Sequence, residues 1–249
     1  MNKEDFLEIF GTPETSQLVD RNLAERFRGL VPDDLVDFWI DHGIGAYAGS
    51  FYRLCTPDTF YPLLSRLLAN IPTLRGKLHA VGYSAFGVVD LCHENGRIFS
   101  FDVQFGALTD QTSRRDNEPP PHDIADLYAL AGIEMPASHE EAVSRIKLGP
   151  LSVWDELAIG ASPETYRNYI GEDGRRLPSE VMKLLGPISA NQIYILRSAE
   201  LENIPASYVK TDIRDLLDNI LSETVSVTEF ITENGMQNTH AEIFPVQLR

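Results

Sequence analysis

The dipeptide Asn95-Gly96 restricts the possible folds most, because it joins two segments that are both candidates for β-strands. Asn-Gly is the strongest short-range signal for a tight turn between antiparallel strands. Residues 87–92 and 97–103 are therefore predicted to form a β-hairpin, and residues 79–83 are a third strand candidate immediately before it. We expect an antiparallel or mixed sheet in the first half of the chain.

Helical spacing of apolar residues predicts helices around these strands. Residues 4–10 and 16–27 have this spacing, Pro32 begins a third helix that ends at His42-Gly43, and Thr56-Pro57-Asp58 begins a fourth. Residues 50–55 alternate as in a strand. Strands and helices thus follow one another without regular βαβ alternation, which predicts an α+β fold with helices flanking the sheet.

The second half of the chain is predicted to form a smaller α+β domain. A polar stretch over 109–121 ends in three prolines and indicates a surface loop or linker. We expect a first domain over 1–110, an acidic, proline-containing connecting segment with short helices over 111–148, and a second domain over 149–249. That domain is predicted to contain strands at 153–158, 192–196, 225–232 and 239–244, and helices at 163–170, 178–185 and 212–221.

The net charge of the chain argues against direct binding of nucleic acid. The 249 residues have a formal net charge of −16, and three acidic blocks, 1–60, 118–160 and 161–249, surround a nearly neutral stretch. Proteins that bind nucleic acid neutralise phosphates with clustered Lys and Arg, so direct nucleic-acid binding is not expected. Acidic stripes can instead attract a basic protein partner, or can simply form a solvated surface.

No motif for catalysis, cofactor binding or metal binding emerges. The glycine-rich segment 43–49 follows a helix and lacks the Lys-Ser/Thr of a phosphate loop. The cysteines and histidines never recur at metal-ligand spacing, so Cys55 and Cys92 are expected to be reduced core residues. We therefore expect no enzyme activity, no cofactor and no metal. A cytoplasmic location without a membrane segment is also expected.

Carboxylates in two regions are the candidate partner-binding residues. In the helix over 33–41, acids recur every four residues and form one stripe, while Leu35, Phe38 and Trp39 are predicted to face the core. The second region covers 110–126. The candidate residues are Asp33, Asp37, Asp41, Asp110, Asp116, Glu118, Asp123 and Asp126.

The first half of the chain resembles the GAD-like domain. Phe38-Trp39, the turn His42-Gly43-Ile44-Gly45-Ala46-Tyr47, the strand Phe51-Tyr52-Arg53-Leu54 and Pro57-Asp58 follow one another as in that family. Residues 27–35 before them, and 83–87 and 103–106 after them, also resemble its segments. The resemblance covers about residues 1–110.

GAD-like domains often precede a second domain found in immunity proteins of bacterial type VI secretion systems, including those that protect against DNases. The segment Leu148-Gly149-Pro150-Leu151, followed by Asp155-Glu156-Leu157, is similar to the start of that domain. The resemblance implies a cytoplasmic antitoxin that blocks a secreted toxin encoded beside it, most simply a basic nuclease, and it supplies no catalytic residues. Two alternatives stay open: an intracellular hydrolase that uses a carboxylate cluster, and a regulatory module that binds a basic cellular protein.

Overall fold

The computed structural model describes residues 1–69, 71, 74–103, 107–111, 152–167, 174, 176–189, 191–197, 202–222, 226–233 and 236–242. The connecting segment predicted over 111–148, with its two short helices, lies almost entirely outside these residues. The predicted boundaries of the two domains stay a prediction.

An eight-stranded antiparallel sheet organises the described residues, in the spatial order β1-β2-β3-β4-β5-β6-β10-β9. The strands are β1 (Ala46–Tyr47), β2 (Tyr52–Leu54), β3 (Leu78–Ser84), β4 (Val88–His93), β5 (Ile98–Asp102), β6 (Ala107–Asp110), β9 (Ser226–Glu233) and β10 (Met236–Glu242). Two further strands, β7 (Gln192–Leu196) and β8 (Tyr208–Asp212), form a separate antiparallel pair. The turn between β4 and β5 lies at the predicted Asn95-Gly96, where Gly96 has a φ of +84° that favours glycine.

Eight α-helices are described. They are α1 (Lys3–Phe10), α2 (Arg21–Glu25), α3 (Asp33–Asp41), α4 (Tyr61–Leu67), α5 (Val153–Ala161), α6 (Pro163–Arg167), α7 (Leu177–Leu185) and α8 (Ile213–Ser222). Short 3-10 turns lie at Ala48–Ser50, Pro57–Thr59 and Pro205–Ser207. Helices on both sides of an antiparallel sheet confirm the α+β fold class.

The two faces of the sheet are covered by different helices. On the face that we call the α5 face, α1, α3 and α5 pack against Tyr52, Val81 and Cys92. On the opposite face, the α4 face, α4, α8 and one side of the β7-β8 pair pack against buried residues that include Leu91 and Phe101. Successive residues of β4 therefore alternate between the two layers, as a strand requires.

Helix α5 joins the C-terminal part of the chain to the first helices. The indole Nε1 of Trp154 donates a 2.7 Å hydrogen bond to Asp34, and its ring lies 5.5 Å from those of Phe6 and Phe38. The N-terminal ammonium of Met1 forms a 3.1 Å ion pair with Asp155. Contacts between residues more than a hundred positions apart thus close the layer on the α5 face.

The strand predicted over 153–158 is wrong, because these residues begin α5. Ser152 and Asp155 form a reciprocal capping box, which satisfies two backbone N–H groups at the start of the helix. The buried residues Val153, Trp154 and Leu157 then recur at helical spacing. Over so few residues, an apolar run is compatible with either structure.

The helix predicted over 16–27 is much shorter, because only Arg21–Glu25 is α-helical. Gln17 pairs instead with Ile44 in an isolated antiparallel bridge, and Leu18 is 68% exposed. The side chain of Asp20 accepts hydrogen bonds from Asn22 and Leu23 and so begins the helix. The pairing of Gln17 with the loop after α3 therefore keeps the residues before Arg21 out of the helix, despite their helical spacing of apolar residues.

Candidate functional site

A cavity of about 240 Å³ lies on the α5 face, between strands β2 to β5 and helices α5 and α6. Its lining combines carboxyl groups, hydroxyl groups and aromatic rings. We call it the Asp90 pocket and define it by Tyr52, Phe86, Asp90, Glu156, Tyr166 and Tyr208. The pocket thus lies where the N-terminal sheet meets the C-terminal helices.

Two glycines hold Tyr52 in one position. A Cβ atom built on Gly82 of β3 would overlap the Tyr52 hydroxyl, and one built on Gly160 of α5 would overlap its ring. The absence of a side chain at both positions leaves the space that the tyrosine fills, and Tyr52 is only 1% exposed. The position of its hydroxyl is therefore set by backbone on both sides.

The Tyr52 hydroxyl donates a 2.6 Å hydrogen bond to Oδ2 of Asp90, a side chain that is 6% exposed. Burial raises the pKa of Asp90 well above its ordinary value, and the charge of Glu156 raises it further, while the hydrogen bond from Tyr52 lowers it. Asp90 therefore keeps its proton to a higher pH than a surface aspartate does.

Polar side chains continue from Asp90 to the next strand. Ser100 of β5 lies opposite Asp90 in the antiparallel register, and Nε2 of Gln111 donates a 2.6 Å hydrogen bond to the Ser100 hydroxyl. Both Ser100 and Gln111 line the pocket. Buried polar groups cost free energy unless they are hydrogen-bonded, so this arrangement maintains a polar surface inside the protein.

Aromatic rings form another side of the pocket. Phe51 stacks on Phe86 at a centroid distance of 6.3 Å and on Tyr166 at 5.3 Å. Phe86 also meets the edge of Tyr208 at 5.6 Å, and the Tyr208 hydroxyl donates to Asn203. Rings that pack in this way have little rotational freedom, so the apolar side of the pocket is preformed.

The predicted stripe on α3 is exposed but partly neutralised within the chain. The guanidinium group of Arg28 contacts three carboxylates. Its Nη2 lies 2.8 Å from Asp37, its Nε lies 2.7 Å from Glu25, and its Nη1 lies 4.0 Å from Asp33. The hydrogen bond from Arg28 lowers the pKa of Asp37. Asp41 lies exposed at the end of the helix. Within this stripe, Asp41 is thus the position best suited to contact a partner.

The second predicted region is described only at its start. Asp110 is 6% exposed and forms an ion pair with Arg97, so its carboxylate is engaged inside the chain. Four predicted residues lie outside the described residues: Asp116, Glu118, Asp123 and Asp126. Their assignment stays a prediction.

The Asp90 pocket was not predicted from the sequence. One signal for it exists, because Asp90 occupies an inward position of an otherwise apolar strand, Val88-Val89-Asp90-Leu91-Cys92. A buried carboxyl in such a strand needs a partner. Its hydrogen-bond partner Tyr52 lies 38 positions before it, and its acidic neighbour Glu156 lies 66 positions after it. Only the folded chain brings them together.

The described residues contain neither a cluster of metal ligands nor a helix that could cross a membrane. No group of three or more His, Cys, Asp or Glu side chains in this part of the chain is placed to hold a metal ion. No described helix has the length and apolar character needed to cross a membrane. Cys55 and Cys92 are both buried and free, as predicted, and burial raises the pKa of Cys92 to about 12.

Comparison with known proteins identifies the first half of the chain. Residues 2–104 match the GAD-like domain. The whole fold is similar to the crystal structure of Atu4351 from Agrobacterium tumefaciens, with a TM-score of 0.63 and 17% sequence identity over 100% of this chain and 99% of that chain. At this identity the likeness shows the fold alone. No curated protein matches the chain.

Proposed function

We propose that this chain is an immunity protein that binds and neutralises a cognate type VI secretion effector, most simply a DNase. It would do so by covering the active site or substrate-binding surface of the toxin, without catalysis of its own. The match of residues 2–104 to the GAD-like domain supports this proposal. Domains of this family often precede a second domain that is found in bacterial immunity proteins. The expected location is the bacterial cytoplasm, where such a toxin would act.

Charge complementarity supports a nuclease as the target. A DNase must bind phosphates with Lys and Arg side chains, and a chain with a net charge of −16 is complementary to that surface. Opposite potentials accelerate the encounter of two proteins and disfavour wrong partners. An antitoxin gains from both effects because it must reach the toxin before the toxin reaches DNA.

The observation that carries the proposal is an exposed surface on α1 and α3 that mixes carboxylates with apolar side chains. Glu8 and Asp41 are exposed, and their helices pack together through Phe6 and Phe38, whose rings lie 6.0 Å apart. Two large apolar side chains nearby in sequence are also exposed, Ile9 of α1 at 49% and Leu18 before α2 at 68%. Apolar anchors within a charged rim are typical of protein interfaces.

Inhibition of DNA cleavage tests the proposal. The toxin encoded by the neighbouring gene is purified, and its cleavage of plasmid DNA is measured against increasing amounts of this chain. We expect complete inhibition near a one-to-one ratio. Continued cleavage at a large excess of folded chain would contradict the proposed function.

A matched pair of double variants tests the surface separately. Glu8→Lys with Asp41→Lys reverses two charges on the proposed surface and should weaken inhibition by roughly tenfold or more. Asp58→Lys with Asp215→Lys makes the same change in net charge at exposed positions next to α4 and on α8, over the opposite face of the sheet. Equal inhibition by the two double variants would show that the interface lies elsewhere.

A second candidate is an intracellular hydrolase, favoured by one observation: Asp90 and Glu156 face a single cavity. Two carboxyl groups that face one cavity can act as general acid and base. Chromogenic ester, phosphodiester and glycoside substrates test this candidate. Turnover by the wild-type protein that disappears in both Asp90→Asn and Glu156→Gln would support a hydrolase. A wild-type protein without turnover, or variants with unchanged turnover, would reject it.

A further inference from the structure

The geometry points to the Asp90 pocket as a binding site for a guanidinium cation, supplied either by a small molecule or by an arginine side chain of a protein partner. This inference stands apart from the proposed immunity role, because it concerns a cavity between the sheet and α5 rather than the outer surface of α1 and α3. Either proposal can therefore fail without the other.

The hydrogen bonds of Asp90 leave one side of its carboxyl group available to a ligand. Oδ2 accepts the hydrogen bond from Tyr52, whereas Oδ1 receives no donor from any residue that the structure describes. No described Lys, Arg or His lies within ion-pair distance of this carboxyl group. A buried carboxylate is stabilised by a cation that also donates hydrogen bonds, and a ligand can supply both.

The surroundings of Asp90 favour positive charge over negative charge. The described neighbours Tyr52, Cys55 and Tyr166 carry no charge near neutral pH, because burial raises the pKa of each. Asp102, Glu156 and Tyr208 also line the pocket, and each makes further interactions of its own. An anionic ligand would meet repulsion from the ionised Asp90 carboxyl group, and a neutral one would gain nothing from its charge. The Asp90 carboxyl group thus selects a cation.

The shape and apolar lining favour a planar cation with a short stem. Phe86, Tyr166 and Tyr208 place aromatic rings around the carboxyl groups, and guanidinium stacks on such rings while donating N–H groups within its plane. The volume of about 240 Å³ is below the range typical of sites for drug-sized ligands. A single head group with a few methylene groups therefore suits the space.

Binding of a cation should displace a proton. Burial and Glu156 raise the pKa of Asp90, so much of Asp90 is protonated in the empty pocket at a pH below that value. A guanidinium ion favours the ionised form, and the proton goes to solvent. Affinity should therefore increase with pH, and each bound cation should release up to one proton.

Isothermal titration calorimetry with N-butylguanidinium chloride tests the inference, and N-butylurea serves as the neutral ligand of the same shape. We expect the cation to bind at least about tenfold more tightly than the urea, since charged hydrogen bonds are roughly twice as strong as neutral ones. The measured enthalpy should depend on the ionisation enthalpy of the buffer, which reports the released proton. Equal binding of the two ligands, or no binding of either, would overturn the inference.

Protein variants locate the site. Asp90→Asn keeps the shape of the side chain and the acceptor for Tyr52, and it should reduce affinity for the cation by at least about tenfold and abolish the buffer dependence. Asp58→Asn, at an exposed turn over the opposite face of the sheet, serves as the control and should bind like wild type. Unchanged affinity in Asp90→Asn would place any binding elsewhere and contradict the proposal.

A peptide distinguishes the two sources of the cation. A short Gly-Ser peptide with one central arginine is titrated beside the same peptide with citrulline at that position. Binding of the arginine peptide at least as tight as that of butylguanidinium assigns the pocket to a partner's side chain. Binding of butylguanidinium alone assigns it to a small molecule, and both results support a guanidinium site.

Discussion

At the scale of single residues, the hydroxyl of Tyr52 and the carboxyl of Asp90 form the most constrained contact of the pocket. Tyr52 is confined by the backbone of Gly82 and Gly160, and Asp90 is confined by β4. Because both groups are buried, each depends on the other for its hydrogen bond. Changes at these residues should therefore affect stability in ways that reveal the protonation state of Asp90.

We expect Asp90→Asn to make the protein more stable at high pH. The raised pKa of Asp90 means that the native state binds its proton more tightly than the unfolded chain does. The stabilisation from this proton is complete below the unfolded pKa, near 4, and is lost as pH rises towards the folded pKa. Asparagine carries no charge at any pH and avoids this loss.

Urea denaturation between pH 4 and pH 8 measures the effect. The urea midpoint of Asp90→Asn should exceed that of wild type at pH 8, and the difference should shrink towards pH 4. A variant that is destabilised by the same amount throughout this range would show that Asp90 does not titrate as the structure implies.

Gly160→Ala should destabilise the protein by about 1–3 kcal/mol, the usual cost of overpacking a core. In an exposed helix the same substitution stabilises by up to about 1 kcal/mol, so the sign is diagnostic. The reason is the overlap between the new methyl group and the ring of Tyr52. Thermal and urea unfolding measure the change, and a variant as stable as wild type would show that Tyr52 is free to move.

At the scale of secondary-structure elements, α5 connects the N-terminus, α3 and the pocket. Its first turn binds the N-terminus through Asp155 and α3 through Trp154, and its Gly160 borders the pocket. The side-chain hydrogen bonds that Asp155 accepts from Ser152 and the N-terminal ammonium outweigh its burial and hold the pKa of Asp155 below its ordinary value. One carboxylate thus contributes to both the helix cap and the long-range contact.

Asp155→Asn should therefore destabilise the protein at neutral pH and much less in acid. A lowered folded pKa provides stability that is present above the unfolded pKa and is lost as pH falls through the folded value. Thermal unfolding at pH 7 and at pH 3 should show a larger difference from wild type at pH 7. Asp58→Asn, an exposed position, serves as the control and should show no such pattern.

The elements that the sequence predicts well are those whose signals are local. Asn95-Gly96 defines the β4-β5 hairpin through turn geometry alone, and Pro32 with two following acids defines the start of α3. Residues 153–158 could not be assigned this way, because their apolar run is short and the capping box alone distinguishes helix from strand. The extended pairing of Gln17 with Ile44 depends on a contact 27 positions away.

The candidate site depends on tertiary contacts even more strongly. The apolar residues on both sides of Asp90 could indicate that its carboxyl group is buried, but the neighbours that shift its pKa, Tyr52 and Glu156, come from β2 and α5. On α3, the spacing of the acidic residues was evident from the sequence, whereas the pairing of Asp33 and Asp37 with Arg28 was not. Sequence patterns thus indicate which groups are polar or acidic, and the fold decides which of them have partners.

At the scale of the whole molecule, one sheet separates two layers of helices that differ in their polar groups. The α5 face carries the GAD-like helices, the exposed acidic surface and the Asp90 pocket. The α4 face is a largely apolar core that extends to the β7-β8 pair. A net charge of −16 adds a long-range field to this arrangement, which favours basic partners and disfavours nucleic acid.

Growth of cells that produce the neighbouring gene's toxin is the most direct test of the central claim. Cells that express the toxin alone should stop growing, and co-expression of this chain should restore growth. The Glu8→Lys with Asp41→Lys variant should restore it less well than the Asp58→Lys with Asp215→Lys control. Growth arrest that persists while wild-type chain accumulates in folded form would contradict the immunity role.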